Sequence, residues 1–80
     1  MQFDVIITIA LKEGMLDPEA RAIRNALEHL GIPTLSLSTA RRVRLGLEAP
    51  TRDEAEARAR ECCERLLANP VIHRYEIEVA

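Results

Sequence analysis

The apolar residues of this chain change their spacing repeatedly, from every second residue to every third or fourth and back. That alternation of periods limits the possible folds more than any other feature. Over residues 2–12, Phe3, Val5, Ile7, Ile9 and Leu11 fall on one side and Asp4, Ile6, Thr8 and Ala10 on the other, the pattern of a strand with one strongly apolar face. The period is lost over residues 12–16. Asp17 then offers an N-cap carboxylate, and Pro18 fits the first helical position, where its missing N–H costs nothing. Ala20, Ile23, Ala26, Leu27 and Leu30 follow at helical spacing, and Gly31 with Pro33 just beyond ends the helix.

Strand periodicity returns over residues 34–39, with Leu35 and Leu37 inward, and again over residues 42–48, where Val43, Leu45 and Leu47 alternate with Arg42, Arg44, Gly46 and Glu48. The two stretches are predicted to pair as a hairpin turning near Ala40 and Arg41, although no Gly or Asn marks the turn. Thr51 and Glu54 form a capping-box pattern ahead of a second helix, whose inward stripe is Ala55, Ala59, Cys62, Cys63, Leu66 and Leu67. Asn69-Pro70 stops that helix. Residues 71–79 form a last strand, with Tyr75, Ile77 and Val79 on one side and Arg74, Glu76 and Glu78 on the other. The order β-α-β-β-α-β is the ferredoxin-like arrangement of the α+β class, an antiparallel sheet with two helices on one face. In its usual strand order the first strand is central. Ile6, Thr8 and Ala10 then run down the middle of the uncovered face, with Arg42 and Arg44 on one flank and Glu76 and Glu78 on the other.

Eighty residues fit one domain spanning 1–80, and a chain this short buries only about 60% of its unfolded surface, so a modest core or one completed by a partner is expected. The longest strongly apolar stretch, residues 5–11, is far short of the ~20 residues that cross a bilayer. No charged and apolar leader pattern precedes the first strand, which makes the cytoplasm the expected compartment. A net charge of −2 gives no general drive toward a polyanion. The two aromatics, Phe3 and Tyr75, fall on the core side, so the base-stacking platform of ferredoxin-like RNA binders is missing and nucleic acid is not an expected partner.

Reactive constellations are equally sparse. Cys62 and Cys63 are adjacent, which suits neither a disulfide nor a zinc site and reads as packing on a helix face. His29 and His73 stand at element ends, where surface positions are commoner than catalytic ones. The carboxylate pairs Glu61/Glu64 and Glu76/Glu78 lie on wet faces. Gly14, Gly31 and Gly46 are isolated, so no phosphate cradle forms. No catalytic, cofactor or metal residues are therefore expected. The basic cluster Arg41, Arg42 and Arg44 reads as subunit contact or as a plain solvated hairpin, and either suits it better than a ligand phosphate. A ferredoxin-like regulatory module binding an amino acid or nucleotide between subunits is the alternative on these observations.

Two blocks add a resemblance. Residues 11–20, Leu-Lys-Glu-Gly-Met-Leu-Asp-Pro-Glu-Ala, and residues 63–72, Cys-Glu-Arg-Leu-Leu-Ala-Asn-Pro-Val-Ile, followed by Tyr75-Glu76-Ile77-Glu78-Val79, resemble the opening and the C-terminal signature of PurS, the small subunit of phosphoribosylformylglycinamidine synthase. The family's Val-Arg-x-Gly-Lys hairpin is matched by Leu37-Ser38-Thr39-Ala40-Arg41, with Ser for Arg, Ala for Gly and Arg for Lys. The resemblance implies a non-catalytic part of a three-component amidotransferase of purine synthesis, a homodimer or tetramer joining a glutaminase (PurQ-type) to a synthetase (PurL-type). It places ATP and magnesium on the synthetase and no cofactor on this chain. The expected contact surface is Arg41, Arg42 and Arg44 together with the corner Asn69, Pro70, Val71 and Ile72.

Overall fold

A computed structural model describes all 80 residues, in the order β1 (Gln2–Leu11), α1 (Pro18–His29), β2 (Ala40–Glu48), α2 (Arg52–Cys62), a π-helical turn (Cys63–Leu67) and β3 (His73–Val79). The sheet order is β2-β1-β3 and both pairings are antiparallel. β1 is thus the central strand, as the ferredoxin-like plan requires. In register, Val5 lies between Leu45 and Val79 and Ile7 between Val43 and Ile77; Ile9 lies between Arg41 and Tyr75. Val5, Ile7 and Ile9 are buried beneath Ala55, Ala59, Cys63 and Ala68, while the apolar residues of β2 and β3 are only half-buried around them. Small alanines on α2 let the helix backbone approach the sheet closely, and the large side chains come from the strands.

Both helix starts are as expected. Asp17 accepts from the Ala20 N–H at 3.0 Å with Pro18 at the first helical position, and Thr51 Oγ1 accepts from the Glu54 N–H at 3.1 Å. Helix α1 ends in a Schellman motif: the Gly31 N–H donates to the Glu28 carbonyl, the Ile32 N–H donates to the Leu27 carbonyl, and Gly31 sits at φ +82°. Helix α2 closes differently. The Ala68 N–H reaches back to the Cys63 carbonyl, one residue farther than in an α-helix. The wider turn changes the helical phase after Cys63, so Leu66, expected on the inward stripe, is 83% exposed.

Residues 34–39 do not form the expected second strand, and there is no hairpin at Ala40 and Arg41. Strand β2 begins at Ala40, which pairs with Ala10. The physical reason lies in the missing turn. The two-residue turns that close tight hairpins need a positive φ and no residue of the segment takes one; the chain runs on into β2, and Thr39 Oγ1 donates to Asp17 Oδ2 at 2.9 Å. Leu35 is left fully exposed. The first helix also departs from expectation. Of its apolar stripe only Ala20 is buried, Leu30 is 73% exposed, and no residue of α1 joins the core cluster. The molecule measures 52 × 24 × 16 Å with a radius of gyration of 16.1 Å, against about 12 Å for a compact chain of this length. Helix α1 is an arm.

A core this small concentrates stability in few side chains. Ile7→Ala is expected to lower the unfolding free energy by about 3 kcal/mol, checked by urea denaturation, while Leu35→Ala is expected to change it by less than about 0.5 kcal/mol.

Candidate functional site

The pleat divides the basic cluster. Strand β2 alternates, so Arg42 and Arg44 stand on the sheet face away from α2, paired in register with Thr8 and Ile6 of β1. Across β1 the same two residues are opposite Glu76 and Glu78 of β3. This face therefore carries a cationic flank, a half-buried middle of Ile6, Thr8 and Ala10, and an anionic flank. Strands two apart lie about 10 Å from one another, and no ion pair links the flanks. Arg41 points to the other side, where its Nη2 donates to the Leu67 carbonyl at 2.7 Å and satisfies the end of the π turn. The structure thus brings Arg42 and Arg44 together and separates Arg41 from them.

The corner after α2 is a compact hydrogen-bonded unit. Asn69 Oδ1 accepts from the Val71 N–H at 3.0 Å, the Asn69 carbonyl accepts from the Ile72 and His73 N–H groups, and the Asn69 N–H donates to His73 Nδ1 at 2.9 Å. Lys12, at the end of β1, donates from Nζ to the Pro70 carbonyl at 2.7 Å and from its backbone N–H to the Ile72 carbonyl at 2.8 Å. Asn69 is fixed by this Asx turn, in which its side chain caps its own backbone two residues on, while Pro70 and Val71 remain exposed. Near this end of the sheet a cleft of about 500 Å³ is lined by Thr8, Ala10, Asp17, Thr39, Arg74 and Glu76 among others. The Asp17–Thr39 and Lys12–Pro70 ties that shape it join residues far apart in sequence, and neither was legible as a pair.

Asp17 and Cys63 are the groups whose protonation the fold alters. The Ala20 N–H, then the Thr39 hydroxyl, stabilise the Asp17 carboxylate and hold its pKa below the ordinary value. Burial, then the neighbouring Cys62, pushes the Cys63 thiol up, so it stays protonated and a poor nucleophile. His29 Nδ1 donates to the Asn25 carbonyl at 2.7 Å. Glu61 pairs with Arg65 at 3.0 Å, and Glu64 accepts from the Tyr75 hydroxyl at 3.4 Å. No three of the His, Cys, Asp and Glu side chains gather at metal-binding spacing. What this chain presents is surface: a charge-striped sheet face, a rigid corner and a projecting amphipathic helix.

Fold and surfaces together define a small ferredoxin-like interaction module. The family model described as PurS, phosphoribosylformylglycinamidine (FGAM) synthase, matches residues 4–80. The PurS subunit of Archaeoglobus fulgidus is 47% identical over 72 residues, covering 89% of this chain and 90% of that one. Among solved structures, Methanocaldococcus jannaschii PurS superposes with a TM-score of 0.84 at 35% identity, covering 98% of this chain and 95% of that one. A chain of the Thermotoga maritima PurLQS structure gives 0.89 at 28% identity, covering 100% and 99%. The chain belongs to the PurS family.

Two measurements check the protonation states. A thiol-alkylating reagent at pH 8 is expected to modify Cys62 in the native protein, with Cys63 modified only on unfolding, as read by mass spectrometry of peptides. Because the folded pKa of Asp17 is lowered, its contribution to stability is full above about pH 4 and is lost as the pH falls through the folded value. Helicity followed by circular dichroism should show that acid loss in the native chain and a flatter acid limb in Asp17→Asn, which keeps the cap without titrating.

Proposed function

We propose that this chain is the non-catalytic small subunit of phosphoribosylformylglycinamidine synthase and that it holds a glutaminase (PurQ-type) and a synthetase (PurL-type) in the relative position that ammonia transfer needs. The observation that carries this reading is the family match over residues 4–80, supported by the likeness to a chain of the PurLQS structure over its whole length. The glutaminase releases ammonia from glutamine. The synthetase, with ATP and magnesium bound to it, uses that ammonia to convert formylglycinamide ribonucleotide to its amidine in purine synthesis. Ammonia free in neutral water gains a proton and loses its nucleophilic lone pair, so a shielded route between the two centres gives a direct advantage.

The surfaces described above suit that task. A strand-pinned corner and a sheet face with fixed charge positions offer geometry rather than chemistry. The unburied apolar stripe of α1, with Leu30 73% exposed, supports a homo-oligomer, a dimer or tetramer, in which a neighbouring copy covers it. No helix is long and apolar enough to cross a membrane, and the proposed pathway places the complex in the cytoplasm.

The purified chain alone is expected to show neither glutaminase nor ATPase turnover. Its omission from a mixture with the other two subunits should lower glutamine-dependent amidine formation at least about tenfold, while an ammonium salt in place of glutamine bypasses the requirement. Full glutamine-dependent turnover without this chain overturns the reading.

A further inference from the structure

We infer that the contact between Asp17 and Thr39 is a clasp that sets the direction of the α1 arm relative to the sheet, and that opening it lets the arm swing while α1 itself stays folded.

The first observation is how little else holds the arm. Residues 13–38 leave the sheet after β1 and return at the start of β2, and none of them makes a hydrogen bond or ion pair with the strands or with α2. Helix α1 adds no residue to the core cluster. Inside the arm the ties are local: Arg24 Nη2 donates to the Thr34 carbonyl at 3.3 Å. Thr39 is the one residue of the outgoing connection that hydrogen-bonds the incoming one. Packing does not replace that bond. Two clefts of about 500 Å³ each are lined by Ala10, Asp17, Thr39 and Ala40, one on the open face beside Thr8 and Glu76, the other on the α2 side beside Ile9 and Arg41. The root of the arm is therefore unsupported on both sides of the sheet.

The second observation is that a single carboxylate serves two partners. Asp17 Oδ1 accepts from the Ala20 N–H at 3.0 Å and fixes the first turn of α1, while Oδ2 accepts from the Thr39 hydroxyl at 2.9 Å. Thr39 directly precedes Ala40, which is held in register against Ala10. The start of β2 thus positions Thr39, Thr39 positions the carboxylate, and the carboxylate positions the helix. A hydrogen bond to an ionised acceptor is roughly twice as strong as a neutral one, and this one works only against the conformational freedom of two short connections. Gly14 lies in the incoming connection at φ +81° in open space, and residues 32–38 of the outgoing one belong to no helix or strand. Leverage is large. Helix α1 has 12 residues, so a rotation of about 10° at its root carries its far end about 3 Å, and the exposed Leu30, Ile32 and Leu35 move with it.

The test separates the clasp from the helix cap. Thr39→Val removes the hydroxyl at nearly constant size and leaves Asp17 capping α1. Asp17→Ser keeps an N-cap oxygen but cannot serve both partners, and Thr39→Ser keeps the donor. Spin labels at the exposed positions 28 and 53, introduced as Glu28→Cys and Asp53→Cys with Cys62→Ser, report the distance from the arm to α2 by double electron–electron resonance. Labelled chain is diluted into excess unlabelled chain, so that only distances within one copy are read. Thr39→Val and Asp17→Ser are each expected to widen the distance distribution at least about twofold with helicity by circular dichroism unchanged, and the two combined to widen it no further than either alone. Thr39→Ser should match the unmodified chain. An unchanged distribution in Thr39→Val overturns the inference, and so does additive widening in the combined variant, which gives the two residues independent roles. Widening with loss of helicity also overturns it, because Thr39 then acts through the helix start. Asp17→Ser decides the question by the same criteria if Thr39→Val does not fold.

Discussion

The pairing of β1 along both of its edges is the interaction on which the rest of the structure depends. Nine consecutive residues of β1 pair with β2 and seven with β3, so its backbone groups are satisfied on both sides. Its odd-numbered side chains are then held in one line under α2. Val5 and Ile7 are completely buried, and the β2 and β3 residues beside them are shielded only because β1 fixes their spacing. The same pleat that sends Val5, Ile7 and Ile9 into the core sends Ile6, Thr8 and Ala10 outward, so a one-residue slip would exchange the core with the interaction face. Core and surface are two consequences of one register.

That economy leaves the chain incomplete by itself. The usual ferredoxin-like plan covers its sheet with two helices and pairs four strands. Here one helix projects, one strand-like segment stays unpaired, and both outer edges of a three-stranded sheet are free. In a self-sufficient domain such features would be liabilities. In a subunit of a larger assembly they are contact surface, and a chain of 80 residues, which buries a smaller share of its surface than a larger domain does, gains further burial from neighbours.

How much of this was legible varies with the range of the interaction. Strand β1, the cap at Asp17, the stop at Gly31, the Thr51 cap and the stop at Asn69-Pro70 rest on residues within four or five positions of one another, and each stands where the sequence put it. The two flanks of the open sheet face also came out as expected, because alternation is strict and the strand order follows from the fold class. The strand expected at residues 34–39 failed for a reason visible only in three dimensions: alternation makes a segment fit for a sheet, but a hairpin also needs a reversal, and Ala40-Arg41 provides none. Leu66 failed because a single π turn shifts helical phase, and the cause, the Ala68 to Cys63 hydrogen bond, has no sequence signature. Arg41 looked like a member of a basic cluster until the pleat separated it from Arg42 and Arg44.

The sequence alone determined the periods, the punctuation and the family: strands where apolar residues alternate, helices where they recur every third or fourth position, and two blocks, residues 11–20 and 63–72, whose resemblance points to the chain's relatives. These are local properties, set by backbone geometry and by side chains a few residues apart. The tertiary structure decided which elements pack and which project, which charges find partners inside the chain, and how the corner, the cleft and the sheet face are placed relative to each other. Those outcomes depend on register and on contacts between residues as distant as Lys12 and Pro70, where the free energy belongs to the assembled geometry and not to any segment taken by itself.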